Sequence, residues 1–123
     1  VKLSILQRIL FEERGIAMAN FVLLYSGGSM GGSEAEQAAI MQAWGAWFGE
    51  LGSALVDGGN PFTPTAKSIN SDGTVSNSPV GTMATGYSII KADSLGTAVE
   101  MARHCPVLQG GGQVSVYETF QAM

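Results

Sequence analysis

The amino-acid sequence predicts an α+β domain in which one antiparallel sheet carries two helices on a single face. Three observations lead there. The chain has 123 residues, the length of one domain. Its segments run in the order βαβ, a hairpin excursion, and βαβ again. Each helix-type segment opens on a hydroxyl or acidic cap and stops before a glycine or a proline.

The elements follow in chain order. Residues 21–25 form a short β-type run closed by Ser26-Gly27-Gly28. Ser33 stands three residues before Glu36, the spacing of a capping box. From there a helix is expected to run to Leu51, with Gly52 as its left-handed terminator. Ile40, Trp44, Trp47, Phe48 and Leu51 give it one aromatic stripe. Residues 54–57 are the second strand, ending at Gly58-Gly59. Beyond Pro61 and Pro64, residues 66–70 and 74–76 pair around Ser71-Asp72-Gly73 as a hairpin, and residues 77–85 are a loop. Residues 86–91 form another strand. Asp93 or Ser94 caps a second helix with the stripe Leu95, Ala98, Val99 and Ala102. Pro106 prevents its continuation past Cys105. Gly110-Gly111-Gly112 resets the chain, and residues 113–119 alternate as the last strand. This is the ferredoxin-like order. Val22, Leu24, Val114 and Val116, beside Phe21, Leu23 and Tyr25, suggest that both sheet faces are apolar. A second apolar face needs a cover, and a homodimer supplies one by packing sheet on sheet.

Composition narrows the function classes. Hydrophobic residues make up 46% and charged ones 13% at a net charge of −4, which excludes a disordered chain. No apolar run approaches the roughly 20 residues of a membrane span, so a soluble protein is expected. From Met18 onward only Lys67, Lys91 and Arg103 are positive, too few and too scattered to bind nucleic acid or an anionic membrane. Cys105 is alone, which rules out an internal disulfide and fits a cytoplasmic protein. Gln7 and Arg8 interrupt the first apolar stretch, so no secretory signal is read there. Residues 1–17 read as an amphipathic helix with Leu3, Leu6, Ile9 and Leu10 on one side. We read them as an extension upstream of a native start at Met18, which leaves residues 18–123 as the domain.

Candidate chemistry is sparse. Asp57 ends an apolar strand before two glycines: a general base in a partly desolvated site, or a turn aspartate bonding the following N–H groups. Trp44, Trp47 and Phe48 are core, or the wall of a pocket for a flat ligand beside Asp57 and Tyr87. His104, the single histidine, sits in the last turn of the second helix, where the dipole alone would favour it, or it carries imidazole chemistry. Cys105 is a packed residue or an exposed thiolate. The stretch Gly27 to Gly32 is a connector or an anion-binding loop, and it lacks a phosphate-loop lysine. One histidine and one cysteine cannot hold zinc, and no cofactor is called for.

From Met18 to Met123 the chain resembles the YCII-related (DGPF-type) family of small bacterial proteins. The residues that carry this are Phe21-Val22-Leu23-Leu24-Tyr25, Ala43-Trp44-Gly45-Ala46-Trp47-Phe48, Leu55-Val56-Asp57-Gly58-Gly59, Gly86-Tyr87-Ser88-Ile89-Ile90, Cys105-Pro106 and Gly111-Gly112-Gln113-Val114-Ser115-Val116-Tyr117-Glu118. The resemblance implies a ferredoxin-like protomer in a dimeric α+β barrel. A related member is linked to dehydrochlorination of a chlorinated aromatic, and a histidine–aspartate pair is proposed as an active site in some members. This chain has no histidine in its first helix, and Asn77-Ser78-Pro79-Val80 stands where the family has Asp-Gly-Pro-Phe. Two functions follow. One is a noncatalytic protein whose pocket, with Tyr25, Trp44, Trp47 and Phe48, holds an apolar or aromatic metabolite. The other is a lyase or isomerase with Asp57 as base and Tyr25 or Tyr87 orienting the substrate. The missing acid and histidine favour the first.

Overall fold

The computed structural model describes residues 18–122, and the expectations for residues 1–17 lie outside them. The elements are β1 (Ala19–Ser26), α1 (Glu34–Leu51), β2 (Leu55–Asp57), β3 (Ser68–Ile69), β4 (Val75–Ser76), β5 (Ala84–Ala92), α2 (Leu95–Ala102) and β6 (Gln113–Glu118). Four strands form one sheet in the order β2-β5-β1-β6, with every neighbouring pair antiparallel. β3 and β4 pair only with each other. The chain is therefore an α+β fold in βαβ…βαβ order with both helices packed against the sheet.

β1 lies inside the sheet because apolar residues occupy both of its faces. Phe21, Leu23 and Tyr25 are buried. Register sets Ile90 opposite Phe21 and Ser88 opposite Leu23, and on the other side Val116 opposite Leu23 and Val114 opposite Tyr25. These residues share the face that meets the helices, where Trp47, Ala98, Ala102, Cys105 and Val107 complete the core. Val114 and Val116 thus belong to the helix face and not to a second apolar face, correcting the expectation from sequence. The opposite face carries Val22, Leu24, Tyr87, Ile89 and Tyr117, which register brings side by side; beside it, Val56 sits at the irregularity that shifts the β2 register between the core-facing Leu55 and Asp57, the partner of Ile89. Val56 and Tyr117 are 48% and 56% exposed, and neither of the described helices covers this face.

Both helices start as their caps dictate. The Ser33 hydroxyl accepts the Glu36 N–H at 3.1 Å. The Glu36 carboxylate reaches back to the Gly32 N–H at 3.2 Å, one residue earlier than a capping box requires. Gly52 ends α1 with φ 55°, donating its N–H to the Phe48 carbonyl. Only Trp47 of α1 is fully buried, and residues 34–39 are exposed, because no large apolar side chain precedes Ile40 on the stripe. In α2 the Ser94 hydroxyl accepts the Thr97 N–H at 3.1 Å. Ala98 and Ala102 are buried, and their small size lets α2 lie close on the sheet. Leu95, expected on the buried stripe, falls in the first turn beyond that pair and is 45% exposed. Among the described residues no helix is long and apolar enough to cross a membrane.

Candidate functional site

The aromatic stripe of α1 folds into one cluster. Trp44 meets Tyr25, Trp47 and Phe48 edge to face at centroid distances of 5.3, 5.8 and 5.8 Å, the geometry that ring quadrupoles favour. Trp47 lies tilted on Phe48 at 5.6 Å. Its indole N–H donates to the Met101 carbonyl at 3.2 Å, fastening α1 to α2. Trp44 and Phe48 remain half-buried.

Beneath the cluster runs a buried polar chain. The Tyr25 hydroxyl donates to Ser88 Oγ at 2.8 Å, and Ser88 Oγ donates to the Gly58 carbonyl at 2.8 Å. Ser88 is the one buried polar residue among those described, and the sequence reading passed over it. Its signal was present: alternation along β5 puts position 88 in line with the core residues Ile90 and Ala92. Ser88→Ala would take from the buried phenol its oxygen acceptor, leaving it only the weak Cys105 thiol, and from the Gly58 carbonyl its hydroxyl donor, and each such loss costs about 1–3 kcal/mol. The expected result is a loss of about 2–4 kcal/mol in urea unfolding, against less than about 1 kcal/mol for an exposed serine off the sheet such as Ser53.

Burial also holds this region neutral. Desolvation pushes the Tyr25 phenol well above its ordinary 10.0, outweighing the Ser88 hydrogen bond, and pushes the Cys105 thiol above its ordinary 9.0. In the unfolded chain both groups lose protons at their ordinary values, whereas in the folded chain they keep them. Stability is therefore full below about pH 9 and falls above it, by up to about 1.4 kcal/mol per pH unit for each group. Urea midpoints measured from about pH 8 to 11 should decline accordingly. Tyr25→Phe should remove the part of the decline that begins near the phenol's ordinary value of 10.0.

Asp57 ends β2 as a turn acceptor. Its Oδ1 takes the Gly59 N–H at 2.8 Å, and the residue is exposed. Gly59 has φ 71°, and a Cβ there would sit 1.7 Å from the Tyr87 carbonyl oxygen, so only glycine allows this turn to close on β5. Gly58 packs against the Phe48 ring, 3.3 Å from the position of a Cβ. The backbone beside Asp57 thus touches the aromatic cluster.

Tyr87 does not join that cluster. Strand alternation points its ring to the opposite sheet face, where it stacks on Phe62 at 5.8 Å and 23°. One pocket containing Tyr87 together with Trp44, Trp47 and Phe48 is therefore not formed. Phe62, unmarked by any periodicity in the sequence, is held there by its N–H bond to the Thr85 carbonyl at 2.8 Å. His104 lies elsewhere again, in an open groove of about 290 Å³ between the ends of α1 and α2. Trp47, Leu51 and Met101 form its apolar floor, with Glu50 and Glu100 beside His104 on the rim. His104 Nδ1 is 3.8 Å from Glu50 Oε1, and both side chains are largely exposed. Cys105 is packed in the core. In the glycine-rich stretch, Ser29 Oγ, Ser33 Oγ and the Glu36 carboxylate already accept the N–H groups of Gly31, Glu36 and Gly32, and Glu36 adds a negative charge where an anion would enter.

The sequence-predicted residues fall in four places: the α1 cluster on Tyr25, the turn after β2 with Asp57, the outer sheet face with Tyr87, and the His104 groove. No protein-family model and no curated protein matches this chain.

Proposed function

We propose that the protein is a YCII-related, cytoplasmic binding protein: a homodimer of ferredoxin-like protomers that holds a small apolar or aromatic metabolite. The observation that carries this is the outer sheet face. It presents Val22, Leu24, Tyr87, Ile89 and Tyr117 in register, with the half-exposed Val56 on the neighbouring β2 and neither described helix over them. Two such faces packed together give a dimeric barrel with an apolar interior. The stacked pair Phe62 and Tyr87 at the β2 edge offers an aromatic wall for a ligand at the rim of that interior.

Binding is favoured over catalysis by the state of Asp57. Its Oδ1 is committed to the Gly59 N–H, and among the described residues it forms no ion pair. Tyr25, with its hydroxyl bound to Ser88 and only 5% exposed, serves the core and does not meet a substrate.

Native mass spectrometry of gently purified protein tests the proposal. A dimer that carries extra non-covalent mass, lost in Phe62→Ala, supports it. A dimer whose extra mass survives Phe62→Ala would move the ligand elsewhere, and a bare monomer would remove the interface and the rim site together.

A further inference from the structure

Between β2 and β5 the chain makes an excursion, residues 60–83, that contributes no strand to the main sheet. Its feet are fixed: Pro61 bridges Gly86, and the Tyr87 N–H reaches the Asn60 carbonyl at 3.3 Å. Its tip is fixed as well. Asp72 Oδ1 accepts both the N–H and the hydroxyl of Thr74, at 2.9 and 2.7 Å, and Asn70 Nδ2 donates to the Thr74 hydroxyl at 2.8 Å. Between feet and tip, the two legs enclose an open groove of about 290 Å³, near the lower end of small-ligand sites.

The lining of this groove has one chemical character. Pro64, Pro79 and Met83 supply apolar walls, Asn77 and Ser78 supply polar donors, and Lys67 supplies a positive charge. No carboxylate lines it, although the chain carries 10 acidic residues against 6 basic ones. The excursion holds a single acid, Asp72, and that side chain is engaged in its own turn. Among the described residues, no carboxylate lies within ion-pair distance of the Lys67 ammonium. Prolines in both legs fix their backbone, so the walls need little ordering when a ligand enters.

We propose that this groove binds a small organic carboxylate with an apolar body. The carboxylate meets the Lys67 ammonium as a charge-assisted hydrogen bond, the Asn77 amide and Ser78 hydroxyl donate to its remaining lone pairs, and the apolar part lies on Pro64, Pro79 and Met83. All of these groups belong to one protomer, so the inference stands whether or not the outer sheet face forms a dimer.

The test is an amide NMR titration with three probes: benzoate, its neutral isostere benzamide, and inorganic phosphate. Benzoate is expected to shift the amides of residues 65–67 and 77–78 saturably, with a dissociation constant of about 1 mM or tighter. Benzamide and phosphate should each bind about tenfold more weakly, one lacking the charge and the other the apolar body. Lys67→Gln, at an exposed position that leaves the fold intact, should weaken benzoate about tenfold, and Lys67→Arg should restore most of the loss. The proposal is overturned if benzoate gives no saturable shift at these residues, if benzamide or phosphate matches it, or if Lys67→Gln leaves its affinity unchanged.

Discussion

Trp47→Ala is expected to lower the unfolding free energy by about 3–5 kcal/mol, within the range for truncating a buried tryptophan. Trp47 is 3% exposed and is the only fully buried residue of α1. It meets Trp44 and Phe48, and its indole N–H is bonded to Met101 in α2. Removing the ring opens a cavity and cuts a side-chain hydrogen bond between the two helices. Trp47→Phe should cost less, about 1–2 kcal/mol, because most of the ring volume stays and chiefly the hydrogen bond goes. Urea unfolding followed by circular dichroism measures both. A loss below about 1 kcal/mol for the alanine variant would mean that α1 is held by something other than this contact.

The second large effect concerns association. Ile89→Lys is expected to turn a dimer into a monomer while leaving the protomer folded. Ile89 lies on the outer sheet face, opposite Val22 on β1 and paired with Asp57 on β2. In a free protomer a lysine there extends its ammonium into water, so the cost is small. In a two-fold interface the substitution occurs twice, and two unpaired ammonium groups would be buried among apolar side chains. Each burial costs several kcal/mol, so the dissociation constant should rise by a factor on the order of 1,000 or more. Sedimentation equilibrium reads the mass, and far-UV circular dichroism reports whether the fold survives. An unchanged mass with an unchanged spectrum would place any interface on another surface.

Much of this architecture is legible in the sequence because the local signals agree with one another. Ser33 and Ser94 start helices through hydroxyls placed three residues before a free N–H. Gly52 and the Ser71-Asp72-Gly73 turn end or reverse the chain where steric rules require it, whereas α2 stops at Ala102, short of the limit at Cys105 that Pro106 sets, and Pro106 opens the next turn. The face to which a residue belongs was harder to read. Val114 and Val116 alternate just as Val22 and Leu24 do, and only the register with Tyr25 and Leu23 assigns them to the helix side. Tyr87 likewise reads as a neighbour of Trp44 until strand parity sends it to the other face, where Phe62 meets it. Asp57 is the instructive case. Its position at a strand end before two glycines is the same for a base as for a turn acceptor, and the turn contact becomes visible only in the 2.8 Å bond from the Gly59 N–H. Ser88 and Lys67 were missed for a different reason. Each gains its significance from what surrounds it in space, a buried phenol in one case and a groove free of carboxylates in the other.

In the proposed homodimer, the outer face of the sheet lies between two copies of the chain. Light scattering coupled to size-exclusion chromatography, at about 10 μM protein and moderate salt, measures it directly, because an interface of standard size holds well below that concentration. The account predicts a species of twice the chain mass that falls to the single mass in Ile89→Lys. A wild-type protein that elutes as a monomer at this concentration would contradict it, and Val22, Leu24, Tyr87 and Ile89 would then be a solvent-facing apolar surface with no partner of its own kind.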